Sequence, residues 1–142
     1  MIERRTMAKT FKLDIVTPER IVFSEDVTSV VLPAERGYYG VLAGHAPFLG
    51  TLRPGEVTIR RDQGESHFAI GGGFVEVTPQ RAILLSESAE AVAAIDVKRA
   101  EEALERAKQR LVAAAKDVDR DRAAAAKDRA ENRLRASRKF KK

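Results

Sequence analysis

Cysteine and tryptophan are both absent from this 142-residue chain. Without thiols there is no disulfide framework and no thiolate metal centre. No apolar run approaches the roughly 20 residues that a membrane-crossing helix needs, and no signal-peptide core opens the sequence. The chain therefore reads as soluble, with any membrane association coming through partners. Glycine and proline are missing from one part only: all nine glycines lie at or before Gly73 and all five prolines at or before Pro79. Beyond them Ala, Arg, Lys, Asp and Glu dominate, the composition of a solvated helix or helical hairpin. Two segments with different grammars are present.

The excess of positive charge is equally uneven. The formal net charge is +5, and residues 117–142 alone carry ten basic side chains against five acidic ones. Such a run is either a solvated helix face or a basic surface seeking an acidic partner. At the other end, Met1 to Thr6 carry charge without pattern. Residues 1–10 are expected to form a flexible lead, with Met7 a candidate start.

The first segment is written in strands. Phe11 to Thr17 alternate apolar and polar side chains, and Pro18-Glu19-Arg20 breaks the run before Ile21-Val22-Phe23. Val27 to Leu32 is β-branched and ends at Pro33. Glu56 to Arg61 alternates again, and Asp62-Gln63-Gly64 turns into His67 to Ile70. Phe74 to Thr78 and Arg81 to Leu85 flank a short hairpin connection at Pro79-Gln80. Many short strands between turn signals predict an antiparallel β-sandwich or flattened barrel. Gly37 to Pro47 reads as a long connection.

Chemical motifs are sparse here. Gly71-Gly72-Gly73 has no following Lys-Ser/Thr and opens no helix, so it reads as a bulge or close backbone approach. His45 and His67 lack a legible nucleophile-and-carboxylate setting, and His45 reads as a hydrogen-bonded structural residue. No metal-ligand spacing, paired catalytic carboxylates or cofactor loop is legible, which argues against an independent enzyme. The basic tail has Phe140 as its sole aromatic residue and acidic residues interleaved with basic ones, which argues against nucleic-acid binding.

The second segment is a repeat. Asp96 is a plausible N-cap, and Val97, Ala100, Leu104, Ala107, Leu111 and Ala114 recur at helical spacing as a narrow apolar stripe. Asp96-Val97-Lys98-Arg99-Ala100 returns as Asp119-Arg120-Asp121-Arg122-Ala123, and Glu105-Arg106-Ala107 as Asp128-Arg129-Ala130. Arg110-Leu111 returns as Arg133-Leu134. Two related helices are expected, the second capped by Asp119. No Gly or Pro marks the junction near Asp117-Val118, so a folded hairpin and one long arm are both open. The second stripe is Ala123, Ala126, Ala130 and Leu134. An alanine methyl contributes less than about 1 kcal/mol on burial, against roughly 1.5–3 kcal/mol for a leucine. Each helix should persist while its grip on a neighbour stays weak.

Four pieces in order carry a resemblance. Val16-Thr17-Pro18-Glu19, then Gly37-x-x-Gly40 with Gly44-His45-Ala46-Pro47, then Leu52-x-Pro54-Gly55, then Ile70 to Val77 resemble the epsilon subunit family of bacterial F-type ATP synthases. The match runs from about Phe11 to Leu134. The resemblance implies an α+β chain: a sandwich of about ten strands over residues 11–90, a helical regulatory domain over 91–138 and a basic tail over 139–142. It implies a non-catalytic rotor part lying peripherally on the cytoplasmic side of the bacterial inner membrane. Expected partners are the gamma subunit and the membrane rotor ring, with the alpha and beta subunits reached when the arm extends. An extended arm would block hydrolytic rotation, with Arg129, Arg133, Arg135, Arg138 and Lys139 facing acidic segments of the catalytic subunits.

Ile95-Asp96-Val97-Lys98-Arg99-Ala100 further resembles the Ile/Leu-Asp-x-x-Arg-Ala motif by which some family members bind ATP as a regulatory ligand. Matching the rest of that pattern adds Glu90, Arg106, Arg129 and Arg133 to Ile95, Asp96, Arg99 and Ala100. Guanidinium groups pair with phosphate oxygens in forked geometry, which gives the motif its chemical sense.

Overall fold

The computed structural model describes residues 9–114 and 116–141. The expectations for Met7 as a start and for most of the flexible lead fall outside the described residues. The described residues form eight strands: β1 Phe11–Val16, β2 Ile21–Val27, β3 Ser29–Ala34, β4 Gly37–Leu42, β5 Phe48–Arg61, β6 Gly64–Val77, β7 Arg81–Ser86 and β8 Ala89–Ala91. A 3₁₀ turn, Val92–Ala94, leads to helices α1 Val97–Ala113 and α2 Asp117–Phe140.

The strand order is β2-β1-β7-β6-β5-β3-β4, with β8 also paired to β6. The 14-residue strands β5 and β6 serve two layers. The C-terminal part of β6 pairs with β7, whereas its Phe68–Ile70 stretch pairs with β8. Counted by layer, the eight strands become ten segments, as the resemblance implied. The layers close on one core in which Leu13, Ile15 and Leu84 of the first meet Val30, Val57 and Ile59 of the second. Phe23 and Phe68 meet edge to face across them at 5.7 Å.

Three sequence expectations change. Gly37–Leu42 is strand β4 paired with β3, not part of a connection, and Pro33 lies within β3 opposite Tyr38. That proline is tolerated because the ladder from β3 to β5 is irregular between Val31 and Ala34, where no regular N–H donor is demanded. The sandwich is also not wholly antiparallel, since β1 runs parallel to β7. The glycine triplet is a close approach, as read: Gly73 has φ +144°, and a Cβ there would collide with the Leu85 carbonyl. His45 is structural, its Nε2 being 2.7 Å from the Tyr39 hydroxyl and its Nδ1 2.7 Å from the Ala46 carbonyl.

The helices form an antiparallel hairpin, which settles the choice that the junction residues left open. Asp96 caps α1 by accepting from the Arg99 N–H at 3.1 Å. Asp119 does not cap α2. That helix begins at Asp117 without a side-chain cap, and both aspartates sit in its first turn, where the positive end of the helix dipole favours them. Ala100, Ala107, Ala123 and Ala130 are buried. Leu104, Leu111 and Leu134 are only half-buried, so the interface is made chiefly of alanine.

Candidate functional site: where the arm meets the sandwich

Strand register builds the seat for α2. Glu56 on β5 is paired with Ala69 on β6, and Ala69 with Glu90 on β8. One cross-strand row on the outer face of the second layer therefore reads acid, alanine, acid. Over it lies the end of α2: Ala136 packs with Ala69, Val92 and Ile95 in a small second core, with Phe140 at its edge. Small side chains at the centre let helix and sheet approach closely, and the carboxylates at the ends are gripped. Lys139 Nζ lies 3.1 Å from Glu56 Oε1, and Arg133 Nε 3.1 Å from Glu90 Oε1. The helix continues through Lys139 and Phe140, residues that the sequence reading assigned to a tail. Phe140 stacks on His67 at 3.7 Å between ring centroids.

Asn132 completes the seat and was not picked out from the sequence. It is buried, and its Nδ2 donates to the Gly55 carbonyl at 3.1 Å and the Ile70 carbonyl at 3.0 Å. Arg135 donates to its Oδ1 at 3.2 Å. Only the register pairing Gly55 with Ile70 brings these two carbonyls to one amide.

The seat has its own titration. Burial pushes the Glu56 carboxyl up, but the Lys139 ammonium and the Tyr38 hydroxyl outweigh it and leave the group below the ordinary glutamate value. A depressed folded pKa contributes stability that is present above the unfolded value, about 4.3, and lost as pH falls through the folded value. Docking of α2 should therefore weaken in acid below about pH 4. Energy transfer between labels on the sandwich and α2 would register it, and Lys139→Ala should remove most of the acid response. Burial likewise pushes the His67 imidazole down, so it faces Phe140 uncharged at neutral pH.

The predicted nucleotide ligands converge, with one exception. Asp96, Arg99, Ala100, Arg106, Glu90 and Arg133 line a cavity of about 250 Å³ between the two helices and β8. An adjoining cavity of about 380 Å³ shares Glu90 and Arg133 and adds Arg129. Ile95 lines neither; its side chain is buried in the second core, and its carbonyl accepts from Lys141 Nζ. Glu90 Oε1, although close to Arg133, is buried without a hydrogen bond and keeps its acceptor capacity. Among the described residues Arg99, Arg106 and Arg129 have no carboxylate partner within 4.0 Å, so cationic groups are concentrated around two concave spaces. Of the residues assigned to catalytic-subunit contacts, Arg133 and Lys139 here pair with sandwich carboxylates, Arg135 bonds only Asn132 within α2, Arg129 lines the larger cavity and Arg138 is exposed.

The fold and the site define a two-part class of protein, a β-sandwich bearing a docked two-helix arm. Residues 10–92 match the model of the ATP synthase delta/epsilon chain β-sandwich domain, and residues 94–138 that of its long α-helix domain. The chain belongs to the ATP synthase delta/epsilon family. It is 45% identical over 133 residues to the ATP synthase epsilon chain of Desulforamulus reducens, covering 92% of this chain and 99% of that one. Against the epsilon chain of Moorella thermoacetica the identity is 43%, covering 90% and 96%. The fold is shared with a chain of the Euglena gracilis mitochondrial ATP synthase OSCP/F1/c-ring assembly, with TM-score 0.73 and 23% identity over 87% of this chain and 78% of that one. A chain of the Tetrahymena thermophila central stalk/c-ring assembly shares it with TM-score 0.59 and 17% identity over 92% and 98%. Membership makes this chain a subunit of the rotary ATP synthase rather than an enzyme with its own active site.

Proposed function

We propose that this chain is a central-stalk rotor subunit whose hairpin restrains ATP hydrolysis when it leaves the sandwich, and that ATP holds the hairpin down. One observation carries the reading: Arg133 and Lys139, the cations suited to acidic segments of the catalytic beta subunits, are held here by Glu90 and Glu56. The same basic groups thus have two alternative sets of acidic partners, and an alanine-rich interface lets them exchange one for the other. The complex would lie on the cytoplasmic face of the bacterial inner membrane and carry protons. None of the described helices of this chain is long and apolar enough to cross a membrane.

The rotor contact falls on the opposite face. On the first layer the register sets Val16, Leu85, Phe74 and Thr51 in one outward row, with Ile21 beside Val16. Phe74 is 58% exposed, and Leu49, one outward position further along β5, is 74% exposed. An apolar groove of about 640 Å³ lined by Val16, Pro18, Leu52, Pro54, Phe74 and Leu85 continues this face. A contiguous apolar surface of this kind suits a permanent protein partner, here the gamma subunit and the membrane ring.

For ATP, the arginines around the two cavities supply forked donors for phosphate, and the partly exposed Glu90 carboxylate on both walls can accept from a hydroxyl or amino group of the nucleoside. Both helices and β8 contribute, so ligand binding favours the docked arm, and extension weakens binding by the same factor. Calorimetry of the chain with ATP is expected to show saturable heat, with Arg99→Ala and Arg106→Ala each weakening affinity roughly ten-fold or more. No heat at millimolar ATP would end the nucleotide reading.

A further inference from the structure

We propose that Arg20, on the turn between β1 and β2, is a further ligand for the polyphosphate bound at the arm; the inference rests on the nucleotide reading above. The Ile-Asp-x-x-Arg-Ala motif does not include this residue, which lies 75 positions before its first member. The turn holds the root of the side chain in place. Thr17 N–H donates to the Arg20 carbonyl at 2.9 Å, and Arg20 N–H donates back to Thr17 Oγ1 at 3.3 Å. The side chain lines the larger cavity together with Arg129 and Arg133 of α2.

Charge then argues for an anion. Glu90 is the sole acidic residue on that cavity's wall, and it lies against Arg133. Arg20 and Arg129 have no carboxylate partner among the described residues. Neither guanidinium can shed its charge at any ordinary pH. Two like charges converging on a concave, half-apolar space are favourable only with a counter-charge between them, and phosphate takes guanidinium in paired hydrogen bonds. Because the larger cavity shares Glu90, Ala94 and Arg133 with the inter-helix cavity, a ligand carrying several charges along its length can span both.

The consequence concerns regulation. Glu90 on β8 already joins the site to the sandwich, but as an acid it makes no attractive contact with phosphate. Arg20 ties the anion to the β1–β2 turn, so binding reports docking of the whole arm.

The test is ATP titration of the full chain by calorimetry, using wild type, Arg20→Gln, Arg20→Lys and Arg36→Gln. Arg36 is exposed and lines neither cavity. Arg36→Gln should bind as wild type does, Arg20→Gln roughly ten-fold more weakly, and Arg20→Lys in between, with unliganded melting midpoints unchanged. Inorganic tripolyphosphate is the second titrant and should show the same ratio for Arg20→Gln. If wild type binds ATP and Arg20→Gln binds it equally well, Arg20 is no ligand and the inference fails alone. If tripolyphosphate binds and is weakened by Arg20→Gln while ATP does not bind, the nucleotide reading fails and the anion contact stands. Binding of neither ends both.

Discussion

Replacing Asn132 with leucine should release the helical hairpin while leaving the sandwich folded. Leucine keeps the branching of asparagine but is bulkier, so the change removes the hydrogen bonds and crowds the buried seat as well. It leaves the Gly55 and Ile70 carbonyls facing hydrocarbon, where each lost partner costs about 1–3 kcal/mol. The docked state has little reserve against such a loss. Its hairpin interface is mostly alanine, and the Lys139–Glu56 and Arg133–Glu90 pairs are partly exposed and worth little each. A loss of roughly 2–3 kcal/mol from docking raises the undocked population some 30- to 150-fold. Amide exchange across α2 should accelerate by that factor, with the protection of β1, β6 and β7 unchanged. In an ATP synthase assembled with the variant, hydrolysis should fall as the arm is freed to restrain rotation. Unchanged exchange would remove Asn132 as the lock. Faster exchange with undiminished hydrolysis would sink the restraint reading instead.

A glutamate at Phe74 should abolish incorporation into the complex without unfolding the chain. Phe74 sits at the centre of the outward row on the first layer and is 58% exposed, so the core loses nothing by the change. In an interface, a central aromatic is typically worth 2 kcal/mol or more, and a buried unpaired carboxylate adds its desolvation cost. Weakening by roughly 100-fold or more is expected, read as loss of co-purification with the gamma subunit and ring at an unchanged melting midpoint. Val112→Glu is the matched control: Val112 is 89% exposed on α1, and the change should leave assembly intact. Co-purification of the Phe74→Glu chain at wild-type yield would mean that the rotor contact lies elsewhere.

These two residues differ in how they can be read from sequence. Phe74 sits on an alternating strand, so its face follows once the strand is recognised; that the face is solvent-exposed does not. Asn132 lies in a helix among Ala and Arg, with nothing local to separate it from a solvated position. Its role comes from two carbonyls that lie 77 and 62 residues away along the chain. Glu56 and Glu90 present the same difficulty, because each is an ordinary strand glutamate until the register sets both beside Ala69.

The sequence by itself determined the two-part organisation, most strands, both helices, the Asp96 cap and the close approach at the glycine triplet. These follow from local rules: periodicity, capping, turn chemistry and helix spacing act over a few residues and leave marks within them. Tertiary structure alone decided that Gly37–Leu42 is a strand, that β1 and β7 run parallel, and that the helices fold back rather than extend. It also decided that the basic end of α2 is seated on the sandwich by Asn132, Lys139 and Arg133. Those outcomes depend on pairings between distant segments, where packing and the satisfaction of buried polar groups outweigh local preference.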